Sequence, residues 1–151
     1  MKKIGILTCS NTTQDLGCSS FKCLEDIYAG GGEFKRYEAE GGAQLAGIIN
    51  CAGCPTAVAP EKLLTRVRSL AVLGVEAIHL SACVMGLCPF KKKYAGLLEK
   101  EFPGIEIVLG THDAPEGEGE FFMDWARQNL STRPNPMADL ASQVAAGRQS
   151  A

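Results

Sequence analysis

Leu45-Ala46-Gly47-Ile48-Ile49-Asn50-Cys51-Ala52-Gly53-Cys54-Pro55 decides the fold. A short apolar run, Leu45–Asn50, ends in a turn rich in Gly, Pro and Cys, as a buried strand of a parallel sheet does. Two further runs end the same way: Ile4–Thr8 leads into Cys9, and Ala77–Ala82 into Cys83. Ligands of parallel α/β sheets bind outside the carboxyl ends of the strands. The three runs therefore bring cysteines distant in sequence to one sheet edge.

Between these runs the periodicity turns helical. Ser19 or Ser20 is placed to cap a helix with Phe21, Leu24, Ile27 and Tyr28 on its apolar stripe, stopped by Gly30-Gly31-Gly32. Glu33–Glu38 alternates weakly and reads as an edge strand or a connection. From Pro60, Leu63, Leu64, Val67 and Leu70 form a second stripe that Gly74 ends. Phe90–Phe102 carries Phe90, Tyr94, Leu97, Leu98 and Phe102, before a fourth strand at Ile105–Gly110 and a last helix around Glu120–Leu130. This alternation predicts an α/β three-layer sandwich, with a mainly parallel sheet of four to five strands and flavodoxin- or Rossmann-like topology. A single domain is expected over residues 1–130. Residues 131–151, rich in Pro, Ser, Ala and Gln, are expected to form a mobile tail with at most a marginal helix at Met137–Ala146.

The chain has 151 residues and a formal charge of −2, with 46% hydrophobic and 21% charged residues. A sizeable core is affordable at this length, and the charge argues against nucleic acid or an anionic membrane as partner. No apolar stretch is long enough for a membrane span. The opening Met1–Thr8 lacks the apolar region and cleavage site of a secretory signal, so a cytoplasmic protein is expected. In a reducing compartment the seven cysteines point to metal binding or catalysis rather than to structural disulfides. No dinucleotide fingerprint, phosphate loop, nucleophile elbow or H-E-x-x-H occurs.

Cys51-Ala52-Gly53-Cys54 has the spacing that lets two sulfurs share a metal ion or form a disulfide. Cys83 and Cys88 form a looser pair, with Cys88 expected just before a helix whose dipole would favour its thiolate. Lys91-Lys92-Lys93 reads as a solvated helix face, or as cations that draw an anion or lower thiol pKa values. Cys9 is expected at the crevice, and Cys18 folds back to it from the start of the first helix. Cys23, inside that helix, reads as a packed thiol. His112 follows the fourth strand and offers a nitrogen ligand or a general base. His79 lies ~13 Å back along the third strand from Cys83, which makes it a buried, hydrogen-bonded residue or one that supports a ligand through a hydrogen bond, rather than a direct ligand.

In four ordered blocks the chain resembles the CGGC-domain family: Ile4-Gly5-Ile6-Leu7-Thr8-Cys9, Ile49-Asn50-Cys51-Ala52-Gly53-Cys54-Pro55, Ile78–Cys83 with Cys88-Pro89, and Gly110-Thr111-His112. The resemblance covers roughly Lys2 to His112. It implies an α/β domain whose cysteines and histidines suggest zinc binding, and it brings no established reaction. The naming motif reads Cys-Ala-Gly-Cys here, and Phe90 stands where the family's Cys-Pro-His block has histidine.

The candidate metal ligands are accordingly Cys9, Cys18, Cys51, Cys54, Cys83, Cys88 and His112. Zn²⁺ suits such a donor set, and an iron–sulfur cluster uses thiolates as well. The alternatives are a thiol–disulfide enzyme working through Cys51 and Cys54 with a protein or small-molecule thiol as partner, and a sensor or carrier of soft metal ions.

Overall fold

The computed structural model describes residues 1–113. The expected helix at Glu120–Leu130, the limit of the domain at 130 and the tail at 131–151 lie outside the described residues.

Four strands, β1 (Lys2–Thr8), β2 (Ala43–Asn50), β3 (Ala77–Leu80) and β4 (Glu106–Leu109), pair in the order β2-β1-β3-β4. Every pairing is parallel. The chain therefore belongs to the α/β class that its alternating runs predict, with the strand order of the flavodoxin-like arrangement. Helix α1 (Phe21–Ala29) and a turn-rich 3₁₀ segment (Gly32–Glu40) connect β1 to β2. Helix α2 (Glu61–Val72) connects β2 to β3, and the short α3 (Ala82–Leu87) with α4 (Lys91–Glu101) connects β3 to β4.

Alternation along the strands splits the core into two layers. On one face Leu7, Ile78 and Leu80 pack against Leu63, Leu64, Val67 and Leu70 of α2 and Tyr94 and Leu98 of α4. On the other, Ile4, Ile6, Ala77 and Val108 pack against Cys23 and Ile27 of α1 and Phe34 and Tyr37 of the 3₁₀ segment. Gly5 and Gly47 are paired across β1 and β2, and both lie under Leu70. A Cβ at Gly5 would stand 2.6 Å from Leu70 Cδ1, and one at Gly47 3.1 Å from Cδ2. These glycines let α2 approach the sheet.

Of the two readings of Glu33–Glu38, the structure has the connection, in helical form. Two local expectations are corrected. Helix α1 buries Cys23, Asp26 and Ile27, while Phe21 and Tyr28 are exposed; its stripe is rotated because Cys23 is one of the residues it packs. The third strand stops at Leu80, since the Ser81 hydroxyl accepts from the Val84 amide and caps α3.

His79 ties the second layer together. It is fully buried, donates from Nδ1 to the Gly110 carbonyl at 2.8 Å and accepts from the Tyr37 hydroxyl at Nε2 at 2.8 Å. Phe34 stacks on the ring at 4.7 Å. Burial holds its pKa down at about 4, against the opposing pull of the Gly110 bond, so the ring is neutral. The sequence expectation of a buried, hydrogen-bonded histidine describes this arrangement.

Candidate functional site

β1 has β2 on one side and β3 on the other, so successive connections leave it in opposite directions and a crevice opens at the carboxyl edge. Cys9 stands at that point. Its amide donates to Cys83 Sγ at 3.4 Å, and Cys51 stands beside it at the end of β2, its amide donating to the Thr8 carbonyl at 3.1 Å. Cys9 thus links the ends of all three strands that lead into cysteines.

The loop after β1 supplies the local field. The Asn11 and Thr12 amides point at the Cys9 sulfur, and with the Cys51 thiol, the largest influence, they draw its pKa down against the opposing effect of burial. The same thiol–thiol interaction, together with burial, pushes Cys51 up. Cys9 and Cys51 therefore titrate as a pair, one thiol made easier and the other harder to deprotonate. Cys83 is pushed up by burial, which outweighs the Ser81 hydroxyl 2.9 Å away.

Cys54 and Cys88 flank this group. Cys54 is exposed and its sulfur accepts from Asn11 Nδ2 at 3.4 Å. The turn before it carries Ala52 at φ +65° and Gly53 at φ +94°. A left-handed alanine costs about 1–2 kcal/mol, a strain that the Asn50 carboxamide offsets by accepting from the Ala52 amide at 3.0 Å. Cys88 closes α3 instead of opening a helix, and burial raises its thiol pKa. Helix α4 begins three residues later, and the Phe90 amide at its start pulls the Cys88 pKa down against that burial.

Two of the three lysines brace the site. Lys91 Nζ donates to the Met85 carbonyl of α3, and Lys93 Nζ to the Ala57 carbonyl beyond Cys54 at 2.6 Å. Cations at the start of α4 are tolerable because carbonyls of neighbouring loops absorb them.

Two more candidates lie elsewhere. Cys18 is exposed, its amide donating to the Thr12 carbonyl. His112 Nδ1 lies 3.5 Å from Cys23 Sγ and 3.3 Å from Thr111 Oγ1, on the α1 side of the sheet. Burial lowers the His112 pKa and raises that of Cys23.

Two residues at the site escaped sequence reasoning. Thr12 Oγ1 and Tyr94 Oη are buried without a hydrogen-bond partner, and among the described residues no other side-chain nitrogen or oxygen is in that position. Both belong to the thiol crevice. Thr12 influences Cys9 and Cys83, and Tyr94, pushed up to about 12 chiefly by burial, feels Cys88, Cys51, Cys54 and Cys9. Tyr94 reads as one more apolar residue on the α4 stripe; the signal was its hydroxyl, which a core position must satisfy.

A match to one family model covers residues 3–112, a span that contains the whole crevice: the CGGC domain. The chain belongs to the CGGC domain family. No curated protein and no solved structure matches it. Membership suggests a metal-binding role, against which the donors of this CGGC domain can be tested. Their chemistry fits a thiophilic ion: several free thiols, with two unsatisfied hydroxyls beside them. Their arrangement is pairwise, since among the described residues no three His, Cys, Asp or Glu side chains are grouped to hold one ion. No helix among the described residues is long and apolar enough to cross a membrane.

Proposed function

We propose that this CGGC domain is a cytoplasmic metal-binding protein whose site, at the carboxyl edge of the sheet, takes Zn²⁺ through Cys9, Cys51 and Cys83, completed by Cys54 or Cys88. The observation that carries this reading is the coincidence of the thiol group with both orphaned hydroxyls. An unsatisfied buried hydroxyl costs about 1–3 kcal/mol, and two beside one cluster of sulfurs are accounted for by a ligand that completes their hydrogen bonding. Bound there, the ion would keep the thiols deprotonated and, at an open position, act as a Lewis acid. The residues supply the rest. The Asn11 and Thr12 amides hold charge on Cys9, Ser81 orients Cys83, and Lys91 and Lys93 fix the loops that bear Cys88 and Cys54. Because the donors stand in pairs, binding is coupled to a closure that brings the pairs together. Cys18 and His112 are left out of this donor set: the Cys54 sulfur is held at the crevice by Asn11, whereas only the Cys18 amide bonds to that loop, and His112 faces Cys23.

Metal analysis with a visible spectrum, on protein purified anaerobically without added metal, tests the reading. Near-stoichiometric zinc without visible bands is expected. Sulfide and iron with charge-transfer bands would assign the same thiols to an iron–sulfur cluster, and protein that neither contains nor takes up metal would refute the proposal.

Tyr94→Phe should stabilise the metal-free protein by up to about 1 kcal/mol, by removing an orphaned group, yet weaken zinc binding ~10-fold, in the range for residues that support metal ligands. Denaturant titration and competitive zinc titration read the two effects. Unchanged zinc affinity would remove Tyr94 from the site.

A further inference from the structure

Thr8 faces Asn50 across the β1–β2 ladder, and the Cys51 amide extends that ladder by donating to the Thr8 carbonyl at 3.1 Å. Cys9 and Cys51 therefore leave neighbouring strands side by side. Paired strands run ~4.8 Å apart, within the ~4.4–6.8 Å between Cα atoms that a disulfide spans. Both residues are nearly buried, with 7% and 8% of their surface exposed, so a small oxidant reaches them more readily than a protein disulfide would. Cys54, the neighbour that a C-x-x-C motif would pair with Cys51, is instead exposed with its sulfur engaged by Asn11.

We propose that Cys9 and Cys51 form a reversible disulfide on reaction with a hydroperoxide, and that this bond competes with metal for the same two sulfurs. The competition rests on the zinc-binding reading; the disulfide does not. The Cys9 thiolate attacks one peroxide oxygen, forming an S–O bond as the O–O bond breaks. The other oxygen leaves as hydroxide, or as alkoxide from an organic hydroperoxide, and takes up a proton from solvent to give water or the alcohol. Cys9 is now a sulfenic acid, oxidised by two electrons, and the peroxide is reduced. The Cys51 sulfur displaces the hydroxyl from Cys9, the S–S bond forming as the S–O bond breaks, and the Cys51 proton departs with it as water. A dithiol reductant restores both thiols by exchange. Since the sulfurs then share a bond, neither remains a thiolate donor, and oxidation releases the ion.

The full-length protein, freed of metal and treated with one equivalent of hydrogen peroxide, is alkylated and its linked peptides are fragmented to locate the bond. A Cys9–Cys51 link that dithiothreitol reverses is expected. A predominant Cys51–Cys54 link, or Cys9 carried on to sulfinic acid in the unmodified chain, would overturn the proposal. In Cys51→Ser, which lacks the resolving sulfur, one equivalent should leave Cys9 as a sulfenic acid and a second should carry it to sulfinic acid; Cys23→Ser should retain the link and serves as the folded control. The zinc-loaded protein is then oxidised with a chromogenic chelator present, and one zinc per disulfide should be released. Zinc retained by protein that carries the Cys9–Cys51 bond would overturn the competition. If the chain binds no zinc, the metal reading fails, and the metal-free arm still decides the disulfide.

Discussion

Cys9→Ser is expected to weaken zinc binding by ~100-fold or more, and Cys83→Ser by a similar factor. Structural zinc sites have apparent binding free energies of about 10–16 kcal/mol, so one thiolate in four carries on the order of 3 kcal/mol, which is ~100-fold in affinity. Cys9 should be the more sensitive position. It stands beside Cys51 at the ends of neighbouring strands and meets Cys83 through its amide, and the Asn11 and Thr12 amides help draw its thiol pKa down. Serine keeps the shape but not the thiolate, because its hydroxyl remains protonated at neutral pH. Cys23→Ser changes a thiol packed against Thr111 and His112 on the opposite side of the sheet and should leave zinc affinity within a few-fold of the parent. Competitive titration against a chromogenic chelator measures all three. Full affinity in Cys9→Ser would remove the hub from the proposed site.

The second large effect belongs to His79. Its ring joins the 3₁₀ segment, through Tyr37, to the turn after β4, through the Gly110 carbonyl. The next residue, Thr111, receives the Ala82 amide at 3.0 Å at the start of α3, so His79 supports the frame from which Cys83 projects. His79→Ala should cost about 3–4 kcal/mol, combining a core cavity with two stranded polar partners. The same residue sets an acid sensitivity. Burial holds its pKa at about 4, against 6.5 in the unfolded chain. Below pH ~6.5 the unfolded state takes up a proton that the folded state refuses, so stability falls as the pH drops. The contribution is fully present above pH ~6.5 and is lost on the way to pH ~4, about 3 kcal/mol in all. Denaturant midpoints measured across that window should show the slope in the parent and lose this component in His79→Gln, which cannot titrate. An unchanged slope in the variant would assign the acid sensitivity to other groups.

The sheet was legible because each strand is a compact apolar run closed by a distinctive turn, and the α2 stripe because its apolar positions keep a helical period. Where a polar residue made the decision, the apolar pattern gave no warning. Ser81 converts the end of an apolar run into a helix cap, and Cys23 takes the inward face of α1 while Phe21 and Tyr28 point outward. At the site, placing cysteines at strand ends anticipated Cys9, Cys51 and Cys83 at one edge. Spacing alone favoured Cys51 with Cys54, whereas β-register sets Cys51 beside Cys9. Such a pairing depends on which strands are neighbours, which no local window contains. Thr12 and Tyr94 were hidden for a related reason: their importance lies in what their hydroxyls lack once folded.

X-ray absorption spectroscopy at the zinc edge, on the metal-free protein reloaded with one equivalent of zinc, tests the central claim most directly. A thiolate site predicts a first shell dominated by sulfur at about 2.3 Å, with at least three such ligands and one fewer in Cys83→Ser. A shell of oxygen and nitrogen alone, or one whose sulfur count is indifferent to Cys9 and Cys83, would contradict it.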